Sequence, residues 1–201
     1  MKFEVPFYKQ ESKNDCGPTA LQMVLEYLGE PHLRKELMEL VDSDKNGFTW
    51  TLGLARAVAE IGFKTEFYTT CLGFNPKNFE LEYYQKEVDD ASSSQQKLER
   101  LRRESYKLGV RMVEKSLSLE ELLSKISKNC ISIILLDCSK IKGTSDFIGH
   151  FVPIVGYDKK NIYLHNTQAF FPIKRELFEE ARKAKGTDED IIYIYRKTSG
   201  S

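Results

Sequence analysis

The chain has 201 residues, 41% of them hydrophobic, and its 30 basic residues balance 30 acidic ones. This length suits one domain able to bury a core, and the balanced charge without a basic stripe argues against nucleic acid as a partner. No apolar run approaches a membrane span, and Met1-Lys2-Phe3-Glu4-Val5-Pro6 lacks the apolar core of an export signal, so a cytoplasmic protein without membrane contact is expected.

The first predicted element starts at Cys16. Ala20, Leu21, Val24, Leu25 and Leu28 fall on one helical face, Asp15 suits the N-cap, Pro18 is tolerated in a first turn, and Gly29 suits the C-terminal end. A thiol there meets unpaired N–H groups and the positive end of the helix, which favours thiolate. Gln10 lies six residues upstream, close enough to present its amide beside the sulfur. A nucleophile next to hydrogen-bond donors is what acyl transfer requires. The alternative is a small buried cysteine that happens to open a helix.

Further helices are predicted from Leu33 to Val41 and from Thr51 to Ile61, the latter ending at Gly62, with a strand from Lys64 to Thr70. Residues 75–115 are dense in charge and are expected to be a helical insertion broken at Ala91-Ser92-Ser93-Ser94. Tyr83, Tyr84, Leu98, Leu101 and Leu108 give it a thin apolar stripe. It is therefore either a solvated hairpin docked on the surface or a lid over a cleft. Ser118-Leu119-Glu120-Glu121 forms a capping box opening a helix to about Lys128, and 131–137 is a buried strand by composition.

Two β-rich runs, 148–157 and 162–166, flank the polar turn Asp158-Lys159-Lys160-Asn161 and predict a hairpin. His150 on the first run is a candidate general base. Asn166 on the second can fix the imidazole's orientation, as in a Cys-His-Asn triad. His150 lies seven residues before Tyr157 and Asn166 four after Ile162, so a regular hairpin leaves them three residues apart, about 10 Å along the strand. A bulge or another register is needed to bring them together. His165 is the competing base, and neighbouring strand residues face opposite ways, so only one of 165 and 166 reaches the cysteine. A helix from about Lys174 to Lys183 after Pro172 and a strand from Asp190 to Arg196 complete an α+β order, helices first and antiparallel strands last. Residues 198–201 are expected to be a flexible tail after a single domain over 1–197. Cys71, Cys130 and Cys138 are taken as reduced structural residues, with no metal or cofactor expected, since neither zinc-type spacing nor a phosphate loop is present.

Gln10, the Asp15-Cys16-Gly17-Pro18-Thr19-Ala20 string, Gly149-His150-Phe151-Val152 and the Gly156-Tyr157-Asp158 turn resemble the bacteriocin-processing, double-glycine-leader cysteine peptidases and their stand-alone relatives, members of the papain-like superfamily. The resemblance covers roughly residues 1–65 and 117–196. It implies a papain-like fold, an N-terminal helical part packed on a C-terminal antiparallel sheet. It also implies Cys16 as nucleophile, His150 as base, Gln10 as oxyanion donor and a third member after the turn. That position commonly holds Asp followed by Pro in the family, whereas here Asn166 precedes Thr167. The expected function is a cysteine peptidase acting on a peptide or protein substrate. The alternatives are an acyltransferase or amidase on the same site, or a catalytically silent peptide-binding module.

Overall fold

The computed structural model describes residues 1–44, 46–88 and 90–197; the expected tail at 198–201 lies outside them. Cys16–Tyr27 is α1, Arg34–Leu40 is α2 and Thr51–Glu60 is α3. α1 buries Ala20, Leu21, Val24 and Leu25, the face predicted from spacing. It ends as expected at Gly29, whose φ of 96° closes the last turn through Gly29 N–H to Glu26 O and Glu30 N–H to Leu25 O. α2 and α3 end within a residue or so of the predicted bounds. Gly53 allows α3 to touch the end of α2, since a Cβ there would stand 2.5 Å or less from the Val41 carbonyl oxygen.

The strands are β1 (Lys64–Thr69), β2 (Arg111–Glu114), β3 (Cys130–Asp137), β4 (Gly149–Tyr157), β5 (Asn161–Leu164), β6 (Phe171–Lys174) and β7 (Ile191–Tyr195). They form one seven-stranded sheet in the order β2-β1-β7-β3-β4-β5-β6. The C-terminal strands β3 to β7 are antiparallel, as expected; the sheet as a whole is mixed, because β1 and β2 run parallel while every other pair is antiparallel. The exception arises because β2 follows a helical crossover, the connection that parallel strands need. β3 is buried at all eight residues, so both faces of the sheet are covered there. α1 packs on β4, α3 on β1 and β7, and α8 (Arg175–Arg182) on β3. Each fully buried Ile or Leu at this centre contributes about 1.5–3 kcal/mol.

The insertion contains a 3-10 turn (Pro76–Glu80), α4 (Glu82–Glu87), α5 (Ala91–Lys107) and then β2. The predicted break at Ala91–Ser94 is instead the first turn of α5, capped by the Asp90 side chain, which accepts from Ser93 N–H at 2.8 Å. The serines fit this first turn because Asp90 supplies the cap that they were expected to disrupt. Leu98 and Leu101 bury against the core, while Tyr106 and Leu108 remain exposed. α5 packs on α3, and Lys97 and Arg100 pair with Asp42 and Asp44 beyond α2. The capping box is present as predicted, with Glu121 N–H to Ser118 Oγ at 3.1 Å and Ser118 N–H to Glu121 Oε2 at 2.9 Å. Its helix, α6 (Leu119–Ser124), stops before Lys128. β6 and the short α7 (Cys138–Lys142) were not expected; Asp137 starts α7 by accepting from Ser139 N–H at 2.9 Å.

Candidate active site

Cys16 opens α1 and is half-buried as a residue. β5 ends at Leu164, opposite Ile154, so this edge of β4 is open further towards Gly149. The backbone N–H groups of Phe151, Gly17 and Cys16 point their positive ends at the sulfur and favour thiolate. Burial outweighs all three and, with the neighbouring Asp15 charge, pushes the thiol up to about 11. This corrects the expected depressed thiol. Asp15 also departs from expectation. It stands at the N-cap, but its side chain makes no cap bond. Instead the buried carboxylate accepts from Glu11 N–H at 3.0 Å and pairs with Arg34 at 3.2 Å.

The register problem of the hairpin is solved by a bulge. Tyr157 pairs with Ile162 and Gly156 with Tyr163, but Leu164 pairs with Ile154, leaving Val155 as an extra residue. His165 N–H then bonds Pro153 O at 3.2 Å. Continuing that register sets Asn166 level with Val152, two residues from His150 on the same face. The separation falls to about 7 Å, within reach of diagonal neighbours across a sheet. The Asn166 side chain is near enough to the imidazole to favour its charged form. Burial and the Lys142 charge act the other way, and burial is the larger, so His150 is lowered to about 4 and is neutral at pH 7.

His165 faces the core. It is 1% exposed, its Nε2 lies 2.7 Å from Val5 O, and its Nδ1 accepts from Phe170 N–H at 3.1 Å. Both nitrogens are therefore occupied by backbone, and Nε2 carries the proton. Phe7 and Phe170 pack edge-on against the ring.

Gln10 is exposed, and its amide is spread over long contacts to Ser12 O, Lys13 O and Asp15 Oδ1 at 3.4–3.5 Å. It does not donate to the sulfur in this state. Gln10, His150 and Asn166 line one cavity of about 480 Å³, together with Lys9, Lys142 and Cys138. Cys16 lines an adjoining chamber of about 60 Å³, and Lys13, Asn14, Tyr83 and Gly149 border both. No hydrogen bond joins Cys16 to His150 among the described residues. Tyr83, from α4, stands at the boundary, its hydroxyl donating to Gly149 O at 3.3 Å. α4 is held there by Glu87, which is buried, pairs with Lys13 and accepts from Asn14 at 3.0 Å.

Several residues at the site escaped sequence reasoning. Asp188 and Asp190 line the Cys16 chamber, delivered by a turn in which Asp188 and Glu189 take φ of 48° and 53°. The Thr187-Asp188-Glu189-Asp190 run reads as an ordinary acidic turn, and only its proximity to Cys16 gives it meaning. The other cysteines are free; burial raises Cys71 and pushes Cys130 and Cys138 up to about 12.

The fold is similar to the peptidase domain of Streptococcus ComA, described as a bi-functional ABC transporter involved in quorum sensing, with a TM-score of 0.54 and 14% identity. The match covers 96% of this chain and all of that one. A double glycine motif protease from an AMS/PCAT transporter, solved with its leader peptide, gives 0.53 and 17% over 98% and 94% of the two chains. The resemblance read from the motifs at Cys16 and His150 is thus matched by the architecture. In sequence, Guanylyl cyclase 1 of Arabidopsis thaliana is 27% identical over 211 residues, spanning 95% of this chain and 75% of that protein. The sequence model of the family described as guanylylate cyclase matches residues 5–194, from the segment that caps His165 into β7, and the chain belongs to that family.

Proposed function

We propose that the protein is a cysteine-dependent acyl-transfer enzyme that hydrolyses a peptide or amide bond. The observation that supports this reading is the bulge at Val155, whose register turns Asn166 towards His150 on the strand that also carries Phe151, a neighbour of Cys16 in the chamber wall. Cys16 enters the reaction as a neutral thiol and His150 as a neutral imidazole. His150 takes the proton as sulfur attacks the carbonyl, gives it to the leaving amine, and then activates water against the thioester. Asn166 orients the ring. The N–H groups of Cys16 and Gly17 are candidates for oxyanion stabilisation, and Gln10 joins them after its loosely held amide swings from the Ser12–Asp15 turn. Tyr83 must shift for sulfur and imidazole to meet, so substrate entry accompanies movement of α4. Transfer of the acyl group to an amine instead of water uses the same residues. A cytoplasmic setting fits the free cysteines.

The test is a peptide library offered to the wild type and Cys16→Ala, with mass spectrometry for a thioester on Cys16. A Cys16-bound acyl group that is absent in the variant supports the reading; turnover that survives the substitution rejects it.

A second reading is cyclisation of guanosine triphosphate, the activity for which the family and the Arabidopsis relative are named. Lys9, Lys13 and Lys142 around the His150 cavity favour it, since three cations suit a polyphosphate. The donor set fits it poorly. Metal-assisted phosphoryl transfer uses clustered carboxylates, and no group of three or more His, Cys, Asp or Glu is arranged for a metal among the described residues. Incubation with GTP and magnesium or manganese, with chromatography for the cyclic product, separates the readings.

A further inference from the structure

The chamber beside Cys16 has a construction that peptide hydrolysis alone does not require. Phe48, Trp50, Phe74, Phe79, Tyr83 and Tyr84 wall it, and Asp188 and Asp190 also face it. The four buried acids among the described residues have balanced partners: Asp15 pairs with Arg34, Glu66 with Lys125 at 2.8 Å, Glu87 with Lys13, and Asp137 accepts from two backbone N–H groups. Asp188 receives only the neutral amides of Asn75 and Asn78, at 2.6 and 2.7 Å. Asp190 receives the Thr51 hydroxyl on Oδ2, while its Oδ1 is buried without a partner. Neither acid has an ion pair among the described residues. Two adjacent carboxylates without a cation, enclosed by aromatic faces, make a site for an ammonium group, attracted by charge and by the ring quadrupoles.

Size narrows the choice. The chamber is small, about 60 Å³, so a slim unbranched side chain enters it more readily than a branched or bicyclic group, and the candidates rank by their non-hydrogen atoms. A lysine side chain beyond Cα has five, an arginine seven, and a guanine base eleven. We propose that this chamber is the specificity pocket of the enzyme and receives a lysine side chain of the substrate, its ammonium on Asp190 and Asp188 and its alkyl stem along the aromatic wall. The position of the scissile bond over Cys16 rests on the acyl-transfer reading; the binding of the amine does not.

Trp50 is the chain's single tryptophan and forms part of the wall, so its fluorescence reports on the chamber. n-Butylammonium is the probe, with 1-butanol as the uncharged counterpart and GTP as a competing ligand class. Saturable quenching by n-butylammonium is expected in the wild type. Affinity should fall about tenfold or more in Asp190→Asn, the usual loss for a charged hydrogen bond, and 1-butanol should bind far more weakly. If circular dichroism shows Asp190→Asn unfolded, Asp188→Asn supplies the same comparison. Absence of saturation, equal binding of 1-butanol, unchanged affinity in the folded variant, or a response to GTP alone would each overturn the proposal. Amine binding without any acyl-enzyme on lysine-containing peptides would leave the pocket standing and reject the acyl-transfer reading instead.

Discussion

Cys16 keeps its proton in the resting protein because burial and the Asp15 charge outweigh three N–H donors, so its chemistry should be that of a shielded thiol. Alkylation by iodoacetamide without substrate should be slow at pH 7 and climb with pH towards about 11. A rate that levels off below pH 8 would reveal a preformed thiolate and contradict this account. His150 bears on the opposite limb. Because it is lowered to about 4, it is ready as a base throughout the neutral range, and the acid limb of kcat/KM should lie near 4 and not near the free-histidine value. Asn166→Asp adds a negative charge beside the ring and should move that limb upward, whereas Asn166→Ala should lower turnover with little change in Tm. His165→Ala should do the reverse. Val5 O and Phe170 N–H both lose a buried partner, for a cost of about 2–4 kcal/mol in denaturant unfolding.

At the scale of elements, β4 and α4 set the geometry of the site. The bulge at Val155 lies where the N-terminal segment crosses Gly156, with Met1 N donating to Tyr157 O and Tyr157 N–H to Met1 O, both at 2.8 Å. A Cβ at Gly156 would stand 2.5 Å from Met1 O and 2.8 Å from Lys2 Cα, so Gly156→Ala must displace one of the two strands. The expected loss is about 1–3 kcal/mol. Turnover should fall further than stability explains, because the bulge governs how Asn166 meets His150; equal losses in both would remove the bulge from the mechanism. α4 is attached differently. Glu87 ties it to Lys13 and Asn14, just upstream of Cys16. Glu87→Gln removes the ion pair and keeps a hydrogen-bond acceptor. It should speed alkylation of Cys16 at fixed pH while circular dichroism stays unchanged, the mark of a cover that opens more often. Of the two roles open to this segment from the sequence, α5 has the contacts of a docked surface helix, packed on α3, while α4 carries Tyr83 to the chamber that Cys16 lines.

Over the whole molecule, the acidic chamber should leave a signature in the pH dependence of stability. Burial and the Asp188 charge push Asp190 up to about 7. Its folded value is above its unfolded one, so between about 4 and 7 the folded chain holds the proton longer. The contribution of this group is present at low pH and is lost as pH rises through 7. Asp190→Asn removes that loss and should raise the unfolding free energy relative to wild type at pH 8, while the two converge near pH 4. A wild type that stays the more stable at pH 8 would contradict the assignment. The two histidines with lowered values act in the other direction, costing stability as pH falls below about 6.5, because the unfolded chain takes up their protons first.

Much of this was legible in the chain because local rules act locally. The apolar face of α1, the Gly29 end, the Ser118–Glu121 capping box and the mostly apolar run of β3 depend on residues within a few positions of each other. The motifs at Cys16 and His150 were legible for the same reason, and they pointed to the fold that the solved peptidase domains share. What escaped depends on contacts distant in sequence. Nothing near Arg111 announces a strand, since β2 exists only by pairing with β1, some 45 residues earlier. Asp15 has an N-cap's sequence position, but Arg34 and the Glu11 N–H draw its carboxylate away from the helix. The thiol was expected to ionise from its place at a helix terminus, a local property, but its proton is decided by burial, which belongs to the tertiary structure. The chain by itself determined which side chains are available for chemistry. Only the packing of α4, the bulge in β4 and the turn at Asp188 decided which of them meet, because charge, solvent and reach are set by neighbours that the linear order does not reveal.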